Sequence, residues 1–231
     1  KPFLKSSEPS VEFMYGDITD LILCKKAVKD MDLICHQAAV GSVPRSVLDP
    51  LTSHNNNVNG FFNILLAAKE EGIKRIVYAS SSSVYGDHPV LPKIEENTGN
   101  LLSPYAATKA IDEIYASIFT RCYKMEIIGL RYFNIFGPRQ NPNGAYAAVI
   151  PKFIQAFKSG KSPIIFGDGS FSRDFTYVDN AVEANLLALS TKNTDAFGHV
   201  FNIGAGGQTS ILVLANTIKR HLNSDLEIKF K

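Results

Sequence analysis

No uninterrupted apolar run in the 231 residues approaches the roughly 18 that a membrane-crossing helix needs. No Lys/Arg cluster is longer than a pair such as Lys25-Lys26, and the net charge is +2, so a nucleic-acid partner is not expected. The three cysteines, Cys24, Cys35 and Cys122, are odd in number and far apart. That pattern argues for reduced thiols in a cytoplasmic protein rather than a disulfide framework. His36, His54, His88, His199 and His221 are equally scattered, with no HExxH or CxxC spacing, and no structural metal is expected. The opening KPFLKSSEPS is polar and lacks the apolar core of a secretion signal. Beginning at Lys1 and running out in LEIKFK, the chain reads as a piece of a longer polypeptide.

What is present is an ordinary globular composition, 45% apolar and 20% charged. Short β-branched runs alternate with longer amphipathic ones. Strands are expected at Val11–Asp17, Asp32–Ala39, Arg75–Ser82 and Glu126–Asn134. Between the second and third, Val58, Phe61, Phe62, Leu65 and Leu66 recur at helical spacing, and Gly72 supplies a C-terminal stop. After Pro104 a second helix places Ile111, Ile114, Tyr115 and Ile118 on one face. This alternation predicts an α/β fold with a parallel sheet covered on both faces, which binds ligands beyond the C-terminal strand ends. From Phe136–Pro138 onward the texture changes. A long loop through Pro138, Pro142, Asn143 and Gly144 precedes helices at Val149–Lys158 and Ala181–Ser190. Residues 1–137 then form one domain and 138–231 part of a smaller lobe with elements crossing back.

The stretch LLSPYAATKAIDE sets Tyr105 and Lys109 four residues apart, neighbours on one helix face. Ser103 suits the N-cap and Pro104 the first turn. An ammonium beside a phenol favours phenolate, which would make Tyr105 a general base; a plain surface pair is the alternative. Upstream, YASSSSVYGD puts four serines at the C-terminal edge of a strand. In extended geometry Ser81 and Ser83 point to one side, Ser80 and Ser82 to the other.

With GDITD, HQAA, NNVNG, YASSSSVYGD, SPYAATK, LRYFNIFGPRQ and SRDFTYVDN in order, the chain resembles the extended short-chain dehydrogenase/reductase family. Within it the resemblance is to NAD-dependent nucleotide-sugar epimerases, closest to bacterial UDP-N-acetylglucosamine 4-epimerases. It implies a Rossmann-like doubly wound sheet lacking its first strands, NAD as cofactor, a UDP-sugar substrate and a homodimer. Tyr105 would be the base, Lys109 would tune it and bind the nicotinamide ribose, and Ser81 would hydrogen-bond the reacting oxygen, with Ser82 and Ser83 lining the sugar pocket. The 4-ketose would turn in the site and regain its hydrogen on the other face. Asp17 and Ile18 match the adenine contact, although Asp17 also suits a helix N-cap. Gln37, Ala38, Ala39 and Gly41 match the turn beneath the cofactor. Asn56, itself a plausible cap, matches a cofactor-side asparagine, and Phe133 a nicotinamide neighbour. Asn134 matches the diphosphate contact and Arg173 the nucleotide contact, with an Arg173–Asp174 surface pair as the plainer reading. Gly41 and Ala148 match the pocket of the N-acetyl-sugar enzymes.

The family's opening Gly-x-x-Gly-x-x-Gly turn has no counterpart here, the first glycine being Gly16, so the piece is expected to bind cofactor poorly. The acidic residue that reads the ribose is missing too, and NAD over NADP follows from the resemblance alone. Related 4,6-dehydratases carry Asp-Glu at the place of Ser82-Ser83, and the decarboxylases carry Glu for Ser83, so both are disfavoured against an epimerase. A non-catalytic nucleotide-binding relative is a further alternative, which intact Ser81, Tyr105 and Lys109 argue against.

Overall fold

The computed structural model describes residues 11–143 and 147–231. Its helices are α1 (Leu21–Val28), α2 (Val43–Leu48), α3 (Pro50–His54), α4 (Gly60–Glu71), α5 (Pro104–Tyr123), α6 (Val149–Lys158), α7 (Val178–Ser190) and α8 (Ile211–His221). The strands are β1 (Leu33–His36), β2 (Arg75–Ser81), β3 (Glu126–Tyr132), β4 (Ile135–Phe136), β5 (Ile164–Ile165), β6 (Ser172–Arg173), β7 (Thr176–Tyr177), β8 (Val200–Ile203), β9 (Thr209–Ser210) and β10 (Lys229–Phe230).

A four-stranded parallel sheet in the order β1-β2-β3-β8 forms the centre. Alternation along the strands sends side chains to two cores. Ile76, Tyr78 and Ile127 pack with Phe61, Leu65 and Phe119 under α1, α4 and α5. Val77, Ile128 and Leu130 meet Ala188 and Leu189 of α7 on the other face. Both faces are thus covered, and the central strands β2 and β3 are largely buried while the edge strands β1 and β8 stay partly exposed. A Cβ at Gly129 would stand 2.6 Å from the Tyr78 hydroxyl, so glycine at that point of β3 makes room for the ring. Away from the sheet, Phe153 and Phe157 of α6 join Ile165, Ala215 and Ile218 in a third core with α8. The pairs β4-β7, β5-β10 and β6-β9 border that region.

The strands at 33–36, 75–81 and 126–132 fall inside the expected segments, and Gly72 closes α4 with a φ of 82°. One expected element fails. Val11–Asp17 is not a strand: no described strand runs beside it to share a ladder, and the segment is exposed, Tyr15 by 91%. The helix expected after Pro104 is present as α5; of the residues on its apolar face Tyr115 packs on the core, while Ile114 is 59% and Ile118 37% exposed. Ala106, Thr108, Lys109, Asp112, Ala116 and Phe119 are buried. The first turns of α5 meet the end of β2, where Lys109 reaches Ala79 and Glu113 reaches Ser80, and Ala116 and Phe119 join the core beneath the sheet. Gly144, expected in the long loop, lies outside the described residues.

Candidate active site

Strand β2 runs three residues past the end of β1, since His36 pairs with Tyr78, and it ends level with β3, Ser81 opposite Tyr132. Beyond that edge the chain does not stay extended. Residues Ser82–Tyr85 wind into a 3-10 turn capped by Ser81, whose Oγ accepts from the Ser83 N–H at 3.1 Å. The simple alternation expected for the four serines therefore stops at Ser81. Ser80 turns away and donates to Glu113 Oε1 at 2.5 Å, while Ser83 Oγ is buried without a hydrogen-bond partner.

Opposite this edge stands the start of α5. Ser103 Oγ accepts from the Ala106 N–H at 3.1 Å, the expected cap, and Pro104 fills the first turn. The Tyr105 N–H, with no intrahelical acceptor, donates to Ser46 Oγ at 3.0 Å and ties α5 to α2. The Tyr105 and Ser81 side chains lie close enough to interact across the cleft, so the expected phenol and hydroxyl face one another. One turn on, Lys109 is 2% exposed; its Nζ donates to the Ala79 carbonyl at 2.9 Å and to Asp112 Oδ2 at 3.2 Å.

The electrostatics differ from the expectation. Burial raises the Tyr105 pKa above the ordinary phenol value; the Ser81 hydroxyl lowers it and the Asp112 charge raises it further. The ammonium of Lys109 is matched by a carboxylate one turn away, so little of its charge is left to favour phenolate. Burial likewise raises Asp112, against the pull of Lys109. His36, beneath the same cluster and stacked on Phe61 at 5.2 Å, is driven down to about 4 by burial and then by Lys109. It is neutral at pH 7.

Gln37, Ala38, Ala39 and Gly41 form an exposed turn after β1. Gln37 donates to Asn185 Oδ1 at 3.0 Å and accepts from the Tyr132 hydroxyl at 3.0 Å, holding α7 to the edge of the sheet. A Cβ at Gly41 would meet no atom within 4 Å, so nothing in the chain's own packing requires glycine there. Asn57, which sequence reasoning missed, pins this turn. Its Oδ1 accepts from the Val40 N–H at 2.7 Å, and its Nδ2 donates to Val40 O and to Thr108 Oγ1 at 3.0 Å. Asn57 can reach both because Asn55–Asn59 is a π-helical turn, a local widening common at functional sites. Asn56, next to it, donates to Thr52 O at 2.9 Å and caps no helix by its side chain.

Asp17 accepts from the Thr19 N–H at 2.9 Å and is exposed, its pKa lowered by that bond. The N-cap of α1 is Asp20, which takes the Ile22 and Leu23 N–H groups, so the capping alternative for Asp17 fails by one turn of chain. Ile18 packs on Gly60 at the start of α4, where a Cβ would stand 2.5 Å from Ile18 Cδ1. No described contact joins Asp17 to the Tyr105 group.

A second cluster begins two residues past the end of β3. Asn134, Ala148 and Arg173 line one cavity of about 330 Å³ together with Ile135, Phe136 and Phe175. Asn134 donates to Asp174 O at 3.0 Å. Among the described residues Arg173 makes no ion pair with Asp174; it donates to Ser172 O, while Asp174 takes the Ala205 and Gly206 N–H groups. Phe133 bridges the clusters, its ring centroid 5.9 Å from that of Tyr85. Behind both, buried Arg131 holds Glu113 through two hydrogen bonds of 2.9 and 2.8 Å and also donates to the Tyr85 hydroxyl. Polar residues on an otherwise apolar helix face, Thr108, Asp112 and Glu113, were the available signal for this support.

The family model described as the NAD dependent epimerase/dehydratase family matches residues 3–204. A UDP-glucose 4-epimerase of Mycolicibacterium smegmatis is 36% identical over 231 residues, 98% of this chain and 72% of that protein. The structure of a UDP-N-acetylglucosamine 4-epimerase from Methanobrevibacter ruminantium, in complex with UDP-N-acetylmuramic acid, superposes with a TM-score of 0.90 at 41% identity. That match covers 94% of this chain and 69% of the other. A Thermus thermophilus UDP-glucose 4-epimerase in complex with NAD gives 0.86 at 28% identity, covering 96% and 72%. The ordered motifs, the doubly wound sheet and these matches lead to one conclusion: the chain belongs to the NAD dependent epimerase/dehydratase family.

Proposed function

We propose that the protein uses NAD to invert C4 of a UDP-sugar through a transient 4-keto sugar, interconverting UDP-N-acetylglucosamine and UDP-N-acetylgalactosamine. The observation that carries this reading is the meeting of Tyr105 with Ser81 at the sheet edge, Lys109 one turn behind and the Asn134–Ala148–Arg173 cavity beginning two residues past β3. Tyr105 takes the proton of the C4 hydroxyl and Ser81 steadies the oxygen. Ser82 and Ser83 line the sugar pocket, and the buried, partnerless Ser83 hydroxyl suits a sugar oxygen. Asn134 binds the diphosphate, and Arg173, exposed at the cavity wall, offers its fork to phosphate.

The residues present fit the nicotinamide end of the cofactor. Lys109 commits two of its three N–H donors to Ala79 and Asp112, leaving one for a ribose hydroxyl. The open turn Gln37, Ala38, Ala39, Gly41 would run under the cofactor, with Asn56 on its side, Phe133 serving the nicotinamide end, and Asp17 and Ile18 the adenine end. When bound, NAD supplies a reversible hydride acceptor. On this reading residues 1–137 serve the cofactor and 138–231 the sugar nucleotide, with α7 and β8 returning to the sheet.

The acetamido sugar is supported by the small residues Gly41 and Ala148 and by the likeness to an enzyme acting on UDP-N-acetylglucosamine. Exposed Leu48, Leu51, Ile114 and Ile118 on α2, α3 and α5 support a homodimer through those helices, which sedimentation of the full-length protein tests. Three free cysteines support a cytoplasmic site, and no described helix is long and apolar enough to cross a membrane. Incubating full-length protein with UDP-N-acetylglucosamine and UDP-glucose separately, followed by proton NMR, tests the activity. The C4 isomer from the first is the expected result; isomer from UDP-glucose alone would reassign the sugar, and none from either would overturn epimerisation.

A further inference from the structure

Asp112 is 1% exposed, and only one of its oxygens is used. Oδ2 accepts from Lys109 at 3.2 Å, while Oδ1 is buried without a hydrogen-bond partner. A carboxylate half-satisfied in the interior is a poor device for stability, since the unpaired oxygen keeps its desolvation cost. Its placement instead bears on the charge of buried Lys109. On α5, Glu113 is next to it, Lys109 one turn earlier and Tyr105 two turns earlier. From the sheet, His36 of β1 senses Lys109, Tyr78 of β2 senses both Glu113 and Asp112, and Arg131 of β3 neutralises Glu113 through two hydrogen bonds. Glu113 therefore has its own counter-ion, and Lys109 has Asp112.

We propose that Asp112 is a positioning residue for the Tyr105–Lys109 pair: it anchors the Lys109 ammonium beside the Ala79 carbonyl and withholds that positive charge from the Tyr105 phenol. Asp112 thereby sets how readily the phenol ionises and where the lysine sits before a ribose is bound. Two effects act in one direction. The negative charge of Asp112 raises the Tyr105 pKa directly, and its pairing cancels the lysine charge that would lower it. Removing the carboxylate charge makes phenolate easier to form.

The effect on turnover rests on Tyr105 being the base, but the phenol titration does not. Tyrosinate absorbance is followed against pH in wild type and in D112N, each minus its Y105F counterpart, so that Tyr105 alone is read. The Tyr105 midpoint should fall by about half a pH unit or more in D112N, and stay at the wild-type value in D112E, which keeps the charge. D112S, which removes the charge with a smaller side chain, should move it the same way and serves if D112N does not fold. A folded D112N or D112S with an unshifted Tyr105 midpoint would overturn the proposal. In the active protein the ascending limb of kcat against pH should move acidward with the phenol. If the phenol moves and the limb does not, the assignment of Tyr105 as base fails while the role of Asp112 stands.

Discussion

Tyr105 is a phenol whose surroundings oppose ionisation, since burial and Asp112 raise its pKa and only the Ser81 hydroxyl relieves it. If it is the base, removing its hydroxyl ends proton transfer and leaves the surrounding contacts in place. Tyr105→Phe should therefore abolish turnover in the NMR assay, while calorimetric binding of the UDP-sugar stays within a few-fold of wild type. Lys109 has a second duty that its place four residues after a tyrosine does not reveal. It is the counter-ion of buried Asp112, whose pKa burial already raises to about 7, so Lys109→Met leaves that group without its cation and drives it to protonate. Chemical denaturation should show a loss of stability that grows as the pH rises above 7, where Asp112 must ionise or stay protonated at a cost, and rate and cofactor affinity should fall with it. Conserving the charge in Lys109→Arg should recover part of the stability and little of the rate, because the guanidinium does not reproduce the compact ammonium.

At the level of elements, the π-helical turn Asn55–Asn59 decides the shape of the turn after β1. It rotates Asn57 inward, where one side chain satisfies Val40 N–H and O and reaches Thr108 on α5. Asn57→Ala takes away the partners of those part-buried backbone groups. It should destabilise the protein by about 1 kcal/mol in urea unfolding and, if the turn after β1 serves the cofactor as proposed, weaken NAD binding more than UDP-sugar binding. Helix α5 carries the complementary lesson. Its inward face is small and polar around Lys109 and Asp112, and its larger apolar residues Ile114 and Ile118 look outward. Periodicity alone reads the larger stripe as core. Which stripe is buried depends on what the strand ends and α4 present to the helix, and that is not written in α5 itself.

Across the molecule, the buried imidazole of His36 couples the site to the stability of the fold. Its pKa is about 4 when folded and near 6.5 when unfolded, so the unfolded chain binds the extra proton in this interval. A depressed histidine contributes stability that is present above pH 6.5 and is lost as the pH falls toward 4, amounting to about 3 kcal/mol. Asp112, raised by burial, titrates with the opposite sign, so the wild-type curve alone mixes the two. The difference between wild type and His36→Asn isolates the histidine: the wild-type advantage in urea midpoint should shrink steadily between those pH values and then level off.

Much of the architecture was legible in the chain because strands and helices announce themselves through local spacing. β1, β2, β3, α4, α5 and α6 fall where β-branched runs, apolar repeats, Ser103-Pro104 and Gly72 put them. The ordered motifs were enough to name the family resemblance. The segment Val11–Asp17 had the right residues for a strand and is none, because a strand exists only beside a partner to share its ladder. Tertiary structure alone decided that Asn134, Ala148 and Arg173 line one cavity, that Asn57 rather than Asn56 carries the turn after β1, and that Asp112 claims the charge of Lys109. The reason is common to all three: burial and long-range pairing set which polar groups lose water and whom they then meet, and neither is a property of neighbours along the chain.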